Sequence, residues 1–294
     1  MNSSALIHAI IDGVLTGSVY ALMATGLTLV FGVMDIINLA QGILVILGAY
    51  LSYTLSVHFG VDLFVGLIFT IPTLFVVGVV IERLFVARLK GPERTAMSIL
   101  VTYAISLVIE GILNEVYSIN QVQLQAWYVN RSFLIFGIYL PYIYLLGFIL
   151  AAVLLGSLYF MLYRTRFGAS IRASLSDQTA AALVGIDTKR VATICFGIGV
   201  AVTAAGGMIY GATNAFNAST SYDLISRLLT IIVLGGMGSL GGALVAGILM
   251  VMIGDVVAVV WSPIWSSMSF FVVLVIVLSL RPQGLFGKQS ARVA

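Results

Sequence analysis

The sequence predicts an all-α fold: a polytopic transmembrane helix bundle of about eight or nine membrane segments, some of them short or broken. Three observations carry that prediction. The 294 residues are 61% hydrophobic and only 9% charged, whereas a soluble domain carries about 25% charged residues, so this chain cannot dress a water-facing surface of ordinary size. Its mean hydropathy is +1.14, and apolar runs of membrane-crossing length recur from one end to the other. The 14 Lys and Arg residues cluster in the short polar stretches between those runs. No polar block is long enough for a separate soluble domain, so residues 1–294 read as a single transmembrane domain. The net charge of +3 is accounted for by that clustering and gives no reason to expect nucleic acid as a partner.

A span needs about 20 mostly apolar residues to cross roughly 30 Å of hydrocarbon. The first, 7–31, begins inside "MNSSALIHAIIDG". That stretch lacks the basic region and small-residue cleavage site of a signal peptide, so it is expected to be retained. The remaining segments are 36–56, 62–82, 97–117, 141–163, 191–212, 222–237, 241–261 and 265–281. The seventh is short, and the second is interrupted by glycines and amides. Cys195, the only cysteine, lies within an apolar run and is expected to serve helix packing.

Orientation follows from Lys and Arg in short loops. Arg83, Arg88, Lys90 and Arg94 follow the third segment; Arg164, Arg166, Arg172, Lys189 and Arg190 follow the fifth; Arg281, Lys288 and Arg292 sit in the tail. Nine crossings, with the N-terminus outside and the C-terminus cytoplasmic, place all of these on one side and leave only Arg131 and Arg227 on the other. Residues 118–140 then lie outside and 164–190 form a cytoplasmic loop.

In that loop, Ser176 or Asp177 can cap a short helix, "QTAAALVG", which Gly185 ends. Ala180, Ala181, Ala182, Leu183 and Val184 would give it an apolar ridge. Such a helix suits insertion into a partner's groove or rest on lipid headgroups; spacing alone leaves both open.

The order D-x-x-A-A-x-L-x-G-I, from Asp177 through Ala180, Ala181, Leu183 and Gly185 to Ile186, followed by a basic pair and a new span, resembles the coupling loop of ABC importer permeases. More narrowly, "GLTLVFGVMDIINLAQGILVILGAYLSY", "LVGIDTKRVATICFGIGVAVTAAGGMIYG", "IIVLGGMGSLGGALVAGILM" and "LRPQGLFG" together resemble the branched-chain amino acid permease family of the LivH type. The chain departs from that family's usual pattern at Thr179, where an acid is common, at Asp35, where a base is common, and at Gln41, where His is common. The resemblance implies a single permease domain in a bacterial or archaeal cytoplasmic membrane, coupling through Asp177, Thr179, Ala180, Ala181, Leu183 and Gly185. Its implied partners are a paralogous permease or second copy, two cytoplasmic ATPase subunits and an extracytoplasmic binding protein. The permease itself would hydrolyse nothing, ATP and Mg being bound by the partner subunits. The chain has no G-x-x-x-x-G-K-[ST] phosphate loop, since "GLFGK" has the wrong spacing. The implied cargo is a branched-chain or similar hydrophobic amino acid; urea, short amides and small organic acids are the alternatives within related permeases.

"GMGSLG", Gly236–Gly241, fits a dinucleotide fingerprint, but that site needs a preceding strand and βαβ units. Gly235, Gly236, Gly238 and Gly241 are instead expected to bend the chain tightly between the seventh and eighth segments. For the pathway, Asn38 and Gln41 are the foremost candidates, because discontinuous helices at membrane depth recur at transport sites. Asp35 either joins them or caps the helix 36–56. Glu110, with Asn114 one turn on, faces the passage mouth or water; Asp255 is a pathway group or a buried partner for a hydroxyl. Thr28 and Thr230 are expected to bond back to their own helices. A stand-alone channel or secondary transporter would want a network of intramembrane charges. An intramembrane enzyme would want a nucleophile–base set, and no Ser/His or Cys/His pair lines up with His8 or His58. Neither His forms part of a metal-ligand set.

Overall fold

The computed structural model describes residues 3–89, 91, 93–135 and 138–287. Lys90, Lys288 and Arg292, three of the bases used for orientation, lie outside them. The described residues form eleven α-helices: α1 (Ser3–Met34), α2 (Gln41–Phe59), α3 (Leu63–Leu84), α4 (Arg94–Tyr117), α5 (Tyr142–Arg164), α6 (Arg166–Ser176), α7 (Gln178–Leu183), α8 (Thr188–Thr213), α9 (Ser221–Gly235), α10 (Leu240–Val260) and α11 (Pro263–Leu280). Before α5 a hairpin pairs β1 (Ser132–Ile135) with β2 (Ile138–Pro141), in register Ser132↔Pro141 to Ile135↔Ile138. Eight of these helices are long and apolar enough to cross a membrane. The predicted segment not among them is the seventh, 222–237: it is α9, whose 15 residues cover only about 22 Å at 1.5 Å per residue.

Close contacts fix each helix's direction. α1 runs against α8, with Gly26 at Gly199 and Met23 at Gly206; α2 runs with α8, with Gly48 at Ala204 and Ala49 at Gly211. α3 runs against α8, where the buried Glu82 accepts from Thr193 Oγ1 at 2.6 Å. α10 runs against α1, with Met252 at Gly13 and Ile248 at Gly17. The bases from Arg83 to Arg94, from Arg164 to Arg190 and at Arg281 therefore share one end of the bundle, the basic end, where α1, α3, α5, α9 and α11 finish and α4, α8 and α10 begin. Arg131 lies at the opposite end, and Arg227 sits within α9.

α1 and α8 are the centre of the bundle: 78% and 89% of their apolar stretches are buried, against 22% for α4 and α5 and 6% for α11. Lipid tails are as apolar as leucine, so helices in a membrane are held mainly by close van der Waals packing, which small residues permit. The glycines and alanines of α8 do this. A Cβ on Gly199 would stand 2.6 Å from the Gly26 carbonyl oxygen, and one on Gly48 would stand 2.9 Å from Ala204 Cα. Thr28 Oγ1 and Thr230 Oγ1 donate to the carbonyls of Ala24 and Ser226 at 2.8 and 2.9 Å, so neither hydroxyl is left bare in the apolar interior.

The second predicted segment differs most from its expectation. Residues 35–40 are not helical, and α2 starts only at Gln41. Gln41 touches Gly199, eleven residues into α8, so α2 begins about 16 Å from the basic end. Backbone groups freed at such depth must find partners, and here side chains supply them. Asn38 Oδ1 accepts from the Ala40 N–H at 3.2 Å, an arrangement that competes with helix formation. Thr102 Oγ1 of α4 accepts from the Leu39 N–H at 3.0 Å, and Thr95 Oγ1 donates to the Asp35 carbonyl at 2.8 Å. Asp35 itself ends α1 in a left-handed conformation, φ +53. It does not cap α2, whose cap position is Ala40 and carries no side-chain cap bond.

At the opposite end, the polar connection between α4 and the hairpin is tied to the bundle. Val122 bridges Phe216, and Tyr50 stacks on Tyr117 at 4.2 Å. Tyr128 Oη donates to Asp62 Oδ2 at 3.0 Å; burial, with that carboxylate beside it, pushes the Tyr128 phenol above its ordinary pKa.

Candidate functional site

The loop between α5 and α8 is almost wholly helical. Thr165 caps α6, its Oγ1 accepting from the Gly168 N–H at 3.0 Å. Arg172 fastens α6 back onto α5 by donating to the Leu162 carbonyl and lying over the Tyr163 ring at 5.3 Å. Asp177 then caps α7, its Oδ1 accepting from the N–H groups of Thr179 and Ala180 at 2.7 and 3.0 Å. Gly185, at φ +86, ends the turn in the left-handed region that a Cβ disfavours. Asp187 starts α8, accepting from the Arg190 N–H at 3.1 Å and pairing with Arg190 Nε at 2.9 Å. That pair is exposed and contributes little to stability.

This geometry corrects the expected ridge. Ala181 is 3% exposed and faces its own chain, whereas Leu183 and Val184 are 84% and 77% exposed. A six-residue helix shows only one face outward, and burying position 181 sends the larger apolar side chains out. Thr179, Ala180, Ala182 and Gly185 are exposed around them. Gln178, just inside the helix, donates from Nε2 to the Val33 carbonyl at 2.5 Å. The loop is thereby joined to the last turn of α1, immediately before the broken segment. Between them a groove of about 980 Å³ opens at the basic end, rimmed by Asp35, Arg94, Arg172, Gln178 and Gly238. Asp35 is thus at the groove's edge.

The bend between α9 and α10 uses Gly236 and Gly238 at φ +92 and +84. Ser239 accepts from the Gly242 N–H at 3.1 Å, and Gly235 packs on Gly242. The Leu285 N–H of the tail donates to the Leu234 carbonyl at 2.7 Å. A Cβ on Gly241 would meet nothing within 4 Å, so this glycine, unlike the other three, is not required by the bend. A helix, not a strand, precedes the glycine cluster.

Asn38 and Gln41 are completely buried. Asn38 Nδ2 donates to Gln41 Oε1 at 3.0 Å, and Gln41 Nε2 donates to the Gly199 carbonyl at 3.0 Å. The two amides form a latch between α2 and α8, and neither borders the cavities described here. Glu110 accepts from Tyr222 Oη at 2.5 Å, joining α4 to α9 towards the opposite end; Asn114 is half-buried one turn further on.

Asp255 lines a cavity of about 600 Å³ at the opposite end, among α1, α5, α8, α9 and α10, with Asp12, Arg227, Tyr20 and Tyr210 also in its wall. Arg227 pairs with Asp223 at 2.8 Å, donates to Ser267 Oγ at 2.9 Å and lies over the Phe270 ring at 5.2 Å. Sequence reasoning missed both Asp12 and Arg227. The available signal was that each charge sits inside an apolar run, a position where ionisable groups seldom face lipid.

Eight apolar helices around a small-residue core, broken at depth and carrying a pinned helical loop at the basic end, define a multi-pass membrane protein of the permease class. The sequence profile described as "Branched-chain amino acid transport system / permease component" matches residues 9–278, and the chain belongs to that family. It is similar to the "High-affinity branched-chain amino acid transport system permease protein BraD" of Pseudomonas aeruginosa, 26% identical over 96% of both chains. It is also similar to the "High-affinity branched-chain amino acid transport system permease protein LivH" of Escherichia coli (strain K12), 26% identical over 94% of both. The "Probable branched-chain amino acid transport permease protein LivH" of Methanocaldococcus jannaschii is 27% identical over 81% of this chain and 77% of its own. No solved structure matches the chain significantly.

Proposed function

We propose that this chain is the membrane-spanning permease subunit of an ATP-binding-cassette importer in the cytoplasmic membrane, passing branched-chain or similar hydrophobic amino acids delivered by an extracytoplasmic binding protein. The basic end faces the cytoplasm, as the positive-inside rule favours, and the C-terminus lies there with it. A second permease, paralogous or identical, completes the passage, and two cytoplasmic ATPase subunits bind ATP and Mg and hydrolyse the nucleotide. The observation that carries this reading is the α7 tip. Two large apolar side chains, Leu183 and Val184, project from a short helix that Asp177 and Gln178 hold at the basic end. The names of the full-length relatives support the cargo.

Affinity capture of the chain from its native membrane, in mild detergent, tests the assembly. ATPase subunits should be recovered with it, two for every pair of permease chains. Recovery of the intact chain with no ATPase, from membranes that still import the amino acid, would remove the proposal.

A further inference from the structure

Among the described residues, nothing neutralises the charge held in the cavity beside Asp255. Asp12 Oδ1 is buried and without a hydrogen-bond partner, and among the described residues neither Asp12 nor Asp255 has an ion-pair partner. His8 lies one turn before Asp12 and lines the same cavity, but makes no ion pair with it. The strong cation in the wall, Arg227, is already paired with Asp223. The chamber therefore carries an excess of two carboxylates inside helices that cross a membrane, where an unanswered carboxylate is costly and marks function. Arg227 retains unused donors, since a guanidinium has five N–H groups, of which Nε faces Asp223 and Nη2 serves Ser267. Met23, Ile209 and Val251 supply aliphatic wall. At about 600 Å³ the chamber falls within the range of small-molecule sites.

We propose that this chamber receives an aliphatic α-amino acid by its ammonium group, held between Asp12 and Asp255, with its alkyl chain against Met23, Ile209 and Val251 and its carboxylate at the free N–H groups of Arg227. The inference rests on the importer reading above and adds a chemical requirement to it. A cationic nitrogen forms charge-assisted hydrogen bonds with both carboxylates. A small organic acid is repelled by them, and urea or a neutral amide leaves their charge unanswered. The permease thus selects for the ammonium group independently of the binding protein that delivers the cargo.

The assembled transporter in vesicles tests this with dicyclohexylcarbodiimide, which modifies carboxyl groups at membrane depth, and peptide mass spectrometry to read modification at Asp12 and Asp255. Leucine at about ten times its half-protecting concentration should slow labelling of Asp255 about tenfold, while 4-methylpentanoate, which lacks the ammonium, should leave it unchanged. Asp255→Asn should lower ATP-driven leucine uptake by a similar factor at equal membrane abundance. Labelling indifferent to leucine, or equal protection by 4-methylpentanoate, overturns the chamber while ATP-driven leucine uptake by the wild-type assembly still upholds the importer reading. Unchanged uptake by Asp255→Asn overturns it likewise. Absence of ATP-driven leucine uptake by the wild-type assembly overturns both.

Discussion

Replacing Leu183 and Val184 together by Asp should leave the permease inserted and folded but cut ATP-driven uptake by far more than about tenfold. Both side chains project outward, at 84% and 77% exposure, so the substitution removes little contact within the chain. What it removes is the apolar pair proposed to enter an ATPase groove, and two carboxylates put in its place would have to be desolvated on docking. Uptake into vesicles and the amount of ATPase recovered with the permease should fall together. Uptake at the wild-type level would show that drive enters elsewhere. Ala181→Arg is the poorer probe: Ala181 is buried against its own chain, so a long cation there disturbs the loop before any docking is tested.

Gln41→Leu is expected to have the second large effect, on stability first. The change leaves Asn38 Nδ2 without its partner in a fully buried site, at a cost of about 1–3 kcal/mol, and cuts the tie from α2 to the Gly199 carbonyl, which keeps only its bond within α8. It also loosens the start of α2, whose Ala40 N–H depends on Asn38 staying in place. The detergent-solubilised protein should lose several degrees of melting temperature, and transport should fall in step with folded protein. A variant with wild-type melting behaviour and altered substrate range would instead place Gln41 on the passage.

Much of the fold was legible because lipid imposes simple requirements: long apolar runs, and bases gathered at one end. Asp177 and Gly185 announced α7 at its actual ends, since a carboxylate cap and a left-handed glycine are local devices that need no tertiary contact. α6 was not legible, because "RFGASIRASLS" is too polar to read as a membrane segment and is held by Arg172 reaching back to α5. The break at 35–40 showed as amides among aliphatics, but its extent depended on Thr95 and Thr102, some sixty residues away in sequence. For the same reason the direction in which Asn38 and Gln41 point could not be read: a buried latch and a pathway lining use the same residue types. Asp12, Arg227 and Asp255 stand far apart in the chain, and only the packing of α1, α9 and α10 brings them to one chamber.

The proposal that this bundle moves amino acid on power delivered through α7 can be tested directly. The purified chain, reconstituted alone in sealed vesicles, should accumulate no leucine with or without internal ATP. Vesicles that also contain its permease, ATPase and binding-protein partners should accumulate leucine only when ATP is supplied. Sustained uptake by the chain alone would contradict the account.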